Sequence, residues 1–131
     1  YDSAGAKEGR YSQKEGSLGS ADAGYALSTI LETLRVIKES NVELENGIKI
    51  LFTDGEECGL LGAKEAVKEK EIFEGVNYVI NIEARGTSGP AIMFETSPNN
   101  KGVLDLYEAT DKQYSYSITP EIYRLLPNGT D

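Results

Sequence analysis

The sequence predicts an α/β fold with a mostly parallel, doubly wound sheet and flanking helices. Short apolar runs rich in β-branched residues alternate with segments in which apolar residues recur every three or four positions. The predicted order is loop, helix, strand, helix, strand, strand, helix, strand, without an internal repeat. Because strands that alternate with helices are typical of parallel sheets, we expect a single sheet wrapped by helices.

Length and composition limit the possible functions. The 131 residues suit one domain, and a composition of 39% hydrophobic and 27% charged residues is typical of globular proteins. A formal net charge of −9 disfavours nucleic acids and anionic membranes as partners, since phosphate groups bind basic patches. Cations are the more natural ligands. The chain has one cysteine, which excludes an internal disulfide, and no apolar run long enough to span a bilayer.

A glycine-rich loop and a helix begin the chain. Residues 1–21 contain four glycines among serines and charges, which predicts a long irregular loop. A helix is predicted from Asp22 to about Ser40, because five apolar residues follow a helical spacing: Leu27, Ile30, Leu31, Leu34 and Ile37. Asp22 alone is also explained as a residue that caps this helix or stabilises its dipole.

The stretch KILFTDGEECGLLG, residues 49–62, is the centre of the prediction. A buried strand is expected over 48–53, and turn residues then place Glu56 and Glu57 at its carboxyl end. Open α/β sheets place their sites at that edge. The helix predicted to follow from Gly59 has Leu60, Ala63 and Val67 on one stripe and charges elsewhere.

The adjacent carboxylates Glu56 and Glu57 call for an explanation. Two ionised carboxylates repel each other unless a cation lies between them or each has a separate task, such as metal ligand and proton acceptor. The structural alternative is a pair of solvated glutamates at a helix start, stabilised by the helix dipole. Both explanations are compatible with these two residues alone.

The second half of the chain repeats the pattern. Strands are predicted over 78–83, 91–95 and 114–118, and Glu83 is placed at the end of the first of them. A helix is predicted from about Asn100 to about Lys112, with an inner side formed by Val103, Leu104 and Tyr107. Residues 123–131 are expected to form a loop or a short final element.

Three carboxylate positions would meet at one edge of such a sheet: Asp22, the pair Glu56 and Glu57, and Glu83. A cluster of that many acids needs a metal ion or strongly raised pKa values. Oxygen ligands alone suit magnesium, calcium or manganese, whereas zinc usually binds imidazole or thiolate as well. Because the chain contains no histidine, its own residues predict a divalent-cation site but not an ordinary catalytic zinc site.

Several motifs together resemble the co-catalytic zinc aminopeptidases of metallopeptidase family 28. The similarity is carried by YDS at the start, GSAD ending at Asp22, FTDGEECGLLGA, VINIEARGTSGP, MFETSP and LPNGTD. The motifs follow the family's order over nearly the whole chain, and the EARG turn is similar to the endoplasmic-reticulum-type subgroup. The resemblance implies a zinc-exopeptidase fold, a peptide substrate and two zinc ions.

The resemblance also implies a role for individual residues. Asp22 would bridge two zinc ions, Glu57 would bind one of them, and Glu83 would bind the other. Glu56 would be the general base, and Asp2 would hold a histidine ligand from outside the first coordination sphere. Asp131 lies in a motif that lines the family's site.

The family pattern further implies that residues 1–131 are a partial peptidase domain, with a site loop at 1–21 and an α/β body at 22–131. Its histidine ligands would lie just before Tyr1 and beyond Asp131. We therefore expect the isolated chain to be inactive and to bind no metal, or a divalent cation weakly. The longer parent protein is expected to be extracytoplasmic or membrane-anchored.

Two other functions stay open. The chain is alternatively a non-catalytic acidic α/β module for interaction or cation binding, and a histidine before Tyr1 would favour the peptidase. Glutaminyl cyclases share the fold and a Glu-Glu pair, but the sequence GLLG favours the aminopeptidase branch.

Three further residues have structural explanations or weak patterns. Cys58 is expected to be a small buried residue. Asn128 begins a glycosylation pattern, and Arg85 orients Glu83 or pairs with a surface acid.

Overall fold

Helices are the regular structure of the part of this protein that is described. The computed structural model describes residues 19–83, 88–111, 114–115 and 118–125. Five α-helices lie in these ranges: α1 (Tyr25–Ser40), α2 (Leu61–Ala66), α3 (Lys70–Phe73), α4 (Lys101–Glu108) and α5 (Thr119–Leu125). The chain divides into two compact units, one of residues 1–86 with 130–131 and one of residues 87–129. Helices α1 to α3 belong to the first unit, and α4 and α5 belong to the second.

Helix α1 confirms the first predicted helix. It ends at Ser40, and the next residue, Asn41, has φ 54° and ψ 24°, a left-handed conformation that asparagine tolerates well. Four of the five predicted apolar residues, Leu27, Ile30, Leu34 and Ile37, are half-buried, whereas Leu31 is 53% exposed. On the exposed side, Arg35 donates hydrogen bonds to Glu32 at 2.6 and 2.8 Å and also to Glu39.

The predicted parallel sheet is wrong. The segments predicted as strands, 48–53, 78–83, 91–95 and 114–118, form no β-strand in any part that the structure describes. One backbone hydrogen bond, from Met93 N–H to the Tyr114 carbonyl at 3.0 Å, joins two of them. A single bond does not make a ladder of paired strands.

The physical reason is that, in the described residues, these apolar runs are neither paired in a ladder of strands nor covered by an apolar layer. A strand is stable only when its backbone pairs with a neighbour and one of its faces is covered. Here Phe52 is 51% exposed, Val79 75% and Ile80 77%. Among the described residues only Ala26 and Tyr123 are buried, so there is no apolar layer on which a sheet could pack.

The helix predicted after the central stretch is two short helices. Helix α2 ends at Ala66. The next backbone hydrogen bonds, from Lys68 N–H to the Glu65 carbonyl and from Glu69 N–H to the Ala66 carbonyl, are both 3.0 Å long and close four-residue turns. Val67 is 65% exposed, so the expected apolar stripe stops there. Helix α3 follows at Lys70.

Within the second unit, helix α4 confirms the predicted inner side. Val103, Leu104 and Tyr107 are half-buried, whereas Leu106 is 52% exposed. The Tyr107 hydroxyl donates to the Tyr114 carbonyl at 3.0 Å and accepts from the Tyr114 N–H at 2.9 Å.

Two further contacts define the second unit. Helix α4 ends four residues before the predicted position, because the Thr110 hydroxyl and N–H both donate to the Tyr107 carbonyl, at 2.8 and 3.0 Å, and tighten the last turn. Helix α5 packs the ring of Tyr123 against Phe94, with ring centroids 4.8 Å apart. No helix within the described ranges is both long enough and apolar enough to cross a membrane.

Candidate functional site

Glu56 and Glu57 lie in a compact turn, residues 55–60, which we term the acidic turn. Its backbone is closed by hydrogen bonds from Leu61 N–H to the Gly55 carbonyl at 3.0 Å and from Leu60 N–H to the Glu56 carbonyl at 2.8 Å. Because these bonds fix the peptide groups around both glutamates, the turn holds their Cα positions without needing a strand beside it.

Glycine residues make the acidic turn sterically possible. Gly55 has φ 71°, a value that residues with a Cβ rarely adopt. Gly62, in the first turn of α2, donates its N–H to the Asp54 carbonyl at 2.8 Å. A Cβ atom at Gly62 would lie 2.5 Å from that carbonyl oxygen and 2.6 Å from the Asp54 nitrogen. The Gly62 backbone therefore lies against Asp54 only because it carries no side chain.

The two glutamates precede helix α2 instead of belonging to its first turn. The helix begins at Leu61, and its first turn contains no acidic residue. The helix-dipole explanation for Glu56 and Glu57 is therefore weak, since a helix dipole acts mainly on the first turn. Both glutamates are half-buried, whereas Cys58 between them and the helix is exposed, contrary to the expected burial. The reason is the tight turn, which directs consecutive residues toward different surroundings.

Lys49 is the charged residue that interrupts the apolar run before the acidic turn. Its ammonium donates to the carbonyls of Glu74 at 2.7 Å, Ile72 at 3.1 Å and Glu71 at 3.3 Å. These carbonyls lie at the carboxyl end of α3, where helical geometry leaves backbone acceptors without intrahelical donors. The contact was not predicted, because nothing in the local sequence pattern links residues more than 20 positions apart.

Asp22 lies in the turn that leads into helix α1. This turn, Ser20–Gly24, is closed by a hydrogen bond from Gly24 N–H to the Gly19 carbonyl at 2.8 Å. Asp22 is exposed, has φ −119° and ψ 104°, and is joined to Ala23 by a cis peptide bond. The N-cap position of α1 is occupied by Gly24, so Asp22 is not the capping residue of that helix.

The other predicted site residues divide into one that is described and several that are not. Glu83 is half-buried and ends the described range that precedes residues 84–87. Asp2, Arg85, Asn128 and Asp131 lie outside the described residues.

The described residues do not by themselves form a metal site. Within the described ranges, no group of three or more histidine, cysteine, aspartate or glutamate side chains is placed to hold a metal ion. The expected meeting of Asp22, Glu57 and Glu83 is thus not seen in this arrangement, and their ligand roles stay predictions. The ligand types in the chain are also incomplete for an ordinary catalytic zinc site, since the chain offers carboxylates but no imidazole.

Comparison with known proteins identifies the family of the chain. The family model described as peptidase family M28 matches residues 1–131, so the chain belongs to that family. This confirms the resemblance drawn from the sequence motifs. No solved structure matches the chain significantly.

Curated relatives carry peptidase names. The chain is 27% identical over 118 residues to human "Endoplasmic reticulum metallopeptidase 1", covering 88% of this chain and 13% of that protein. It is 33% identical over 105 residues to "Vacuolar membrane protease" of Yarrowia lipolytica, covering 80% and 10%. It is also 32% identical over 87 residues to the "Vacuolar membrane protease" of Verticillium alfalfae, covering 66% and 8%. The chain therefore spans only about a tenth of the length of these relatives.

Proposed function

We propose that this chain is part of the catalytic region of a zinc-dependent aminopeptidase that hydrolyses the N-terminal bonds of peptides. The observation that carries the proposal is the fixed acidic turn, with Glu56 and Glu57 adjacent and half-buried, in a chain that matches peptidase family M28 throughout. Adjacent carboxylates in a rigid turn are suited to two different tasks, because one can bind metal while the other accepts a proton.

In this proposal Glu56 is the general base and Glu57 is a metal ligand. Glu56 takes a proton from the attacking water and returns it to the amine that leaves when the peptide bond breaks. The hydrogen bonds that the Gly55 and Glu56 carbonyls accept hold the backbone that carries this side chain. A fixed base is effective because the reacting geometry does not have to be found anew in each turnover.

Asp22 and Glu83 are the remaining proposed ligands, with Asp22 shared between two zinc ions. Bound zinc would lower the pKa of water and polarise the peptide carbonyl. The described carboxylates do not complete such a site, so the proposal assigns the imidazole ligands to residues outside these 131. The small share of the relatives' length that the chain covers, 13% for the human protein, leaves room for them. Asp2 would orient one of these imidazoles.

Two variants of the longer protein separate the proposed roles. Replacing Glu56 by glutamine should leave zinc content unchanged and lower kcat by about 10²- to 10⁴-fold, because an amide cannot accept the proton. Replacing Glu57 by glutamine should lower zinc content along with activity, because an amide oxygen is a poorer zinc ligand than a carboxylate. Metal analysis and peptide turnover are measured on the same preparations.

The matched control is Glu65→Gln, which changes an exposed glutamate of α2 whose described ion pair is with Lys68, at 2.5 Å. It should keep both zinc and activity. A peptide with an acetylated amino terminus should not be cleaved if the enzyme is an aminopeptidase. An active Glu56→Gln protein, or one that loses zinc while Glu57→Gln keeps it, would reverse the two assignments. A longer protein with no hydrolytic activity would instead favour the cation-binding module.

We also propose that the longer protein is anchored in a membrane, with this region outside the cytoplasm. The support is that relatives are named for the endoplasmic reticulum and for the vacuolar membrane. Protease protection of the acidic turn in sealed microsomes, lost on addition of detergent, is the expected result. Digestion of this region without detergent would contradict the proposed orientation.

A further inference from the structure

Lys49 makes a long-range side-chain contact that spans the acidic turn in the sequence. The three acceptors of its ammonium are 22, 23 and 25 residues away along the chain. An ammonium has three donors, and here three carbonyls converge on it. The negative end of a helix also favours a positive charge at this position.

This contact joins residues that lie on either side of the acidic turn in the sequence. The segment between Lys49 and Glu74 contains residues 55–60, helix α2 and helix α3. Inside it, a second closure joins Gly62 N–H to the Asp54 carbonyl at 2.8 Å. The hydrogen bond from Gly62 to Asp54 shapes the turn, and the hydrogen bonds of Lys49 join the residues before the turn to the end of α3.

We propose that Lys49 is a positioning residue that holds the acidic turn in place by binding the carboxyl end of helix α3. Lys49 touches neither glutamate in the described contacts, and its effect is transmitted through the backbone on either side of the turn. The consequence for catalysis rests on the proposed function of Glu56 and Glu57, whereas the consequence for the turn does not.

Hydrogen exchange tests the proposal on the chain itself. In Lys49→Met the amides of Leu60, Leu61 and Gly62 should exchange about 2- to 10-fold faster. This range corresponds to lowering the free energy of local opening by the contribution of one typical hydrogen bond. Lys49→Arg retains the charge and several donors and should restore most of the protection. The amides of helix α1 serve as an internal reference and should be unaffected.

The matched control is Lys68→Met, which removes a lysine of the same segment whose described ion pair is local, with Glu65. It should leave exchange in the acidic turn unchanged. Unchanged exchange in Lys49→Met would overturn the proposal, as would equal acceleration in α1 or an equal effect of Lys68→Met. The last two results would indicate a general loss of stability.

Kinetics on the longer protein then tests the catalytic consequence. Lys49→Met should lower kcat by about 10-fold with little change in KM, since roughly 1 Å of misplacement can slow a reaction by about 100-fold. Lys49→Arg should recover most of this loss. A wild-type protein without peptidase activity would refute the proposed function, while the exchange result would still decide the role of Lys49. An active protein whose kcat does not respond to Lys49→Met would refute the positioning role in catalysis.

Discussion

Gly62 fixes how closely helix α2 approaches the residues before the acidic turn. A Cβ atom at this position would lie 2.5 and 2.6 Å from the Asp54 backbone, closer than any side chain tolerates, and main-chain atoms cannot rotate away. By contrast, Gly47 has nothing within 4 Å of such a Cβ. The two glycines therefore have different requirements, although the sequence alone presents them alike.

Substitution of Gly62 by alanine should destabilise the chain by about 1–3 kcal/mol, because the methyl group forces the Asp54 backbone away and strains the turn. Urea unfolding followed by circular dichroism measures the change. Gly47→Ala is the control and should alter the free energy of unfolding by less than about 0.5 kcal/mol. Equal effects of the two substitutions would mean that the close approach at Gly62 is not what stabilises the turn.

The position of the two glutamates was predictable, whereas the role of Lys49 was not. Turn composition at Thr53, Asp54 and Gly55 correctly places Glu56 and Glu57 in a turn before a helix. Lys49 was interpreted only as an interruption of an apolar run, because its partners are set by the tertiary fold. Local patterns predict local geometry, and a contact across more than 20 residues is not encoded in them.

Helix α1 carries an ion-pair network on its exposed face. The hydrogen bonds from Arg35 hold the pKa of Glu32 below its ordinary value, and the two acids together raise the pKa of Arg35. A lowered pKa means that the contribution of Glu32 is complete above the ordinary glutamate value. It is lost as the pH falls through the lowered pKa, because the protonated carboxyl no longer accepts a charged hydrogen bond.

Titration of the Glu32 carboxyl carbon by NMR should therefore give a lower midpoint in the wild-type chain than in Arg35→Met. The helix content of α1 should fall in acid over the same pH range, and 1 M salt should reduce the difference by screening. Arg124→Met, which removes a separate pair with Glu121 at 3.0 Å on helix α5, should leave the Glu32 midpoint unchanged. Identical midpoints in wild type and Arg35→Met would contradict the assigned cause.

Helices and strands differed in how far the sequence could predict them. The inner side of α4 was correct, and so was the apolar spacing of α1 except at the exposed Leu31, because residues three and four apart form one side of a helix without help from the rest of the chain. The runs around Phe52, Val79 and Ile92 have strand composition but form no ladder of paired strands in the described residues, and strand formation depends on such pairing. The break between α2 and α3 at Val67 was also missed, since every residue of KEAVKEKE except Val67 is a good helix former.

At the level of the whole chain, the proposed function predicts that hydrolysis depends on bound metal. Removal of metal from the longer protein with a chelator should abolish hydrolysis, and added zinc should restore it. The reason is that the proposed carboxylates hold zinc, and zinc polarises the peptide carbonyl of the substrate. Turnover of a peptide with a free amino terminus, before and after zinc addition, measures this. Full activity in the chelated, metal-free protein would contradict the proposal.

The family could be predicted from motifs, but the assembly of the site could not. Motif order placed the chain correctly in peptidase family M28, and the comparisons agree over residues 1–131. The predicted meeting of Asp22, Glu57 and Glu83 assumed that all three lie at one edge of a sheet. Since the described residues form no sheet, that assumption has no support in this arrangement, and distances between such separated residues cannot be derived from spacing alone.

The described ion pairs all join residues three or four positions apart within single helices or their last turns. Attraction between opposite charges therefore strengthens individual helices, and the net charge of −9 is left to act between molecules. At low ionic strength this excess keeps neighbouring molecules apart even though residues such as Val79 and Ile80 face solvent. At about 1 M salt the range of that repulsion shrinks to about 3 Å, and contact between the exposed apolar side chains of different molecules is then unopposed. The colloidal behaviour of the chain is thus governed by long-range charge repulsion, whereas the described ion pairs act only over short distances.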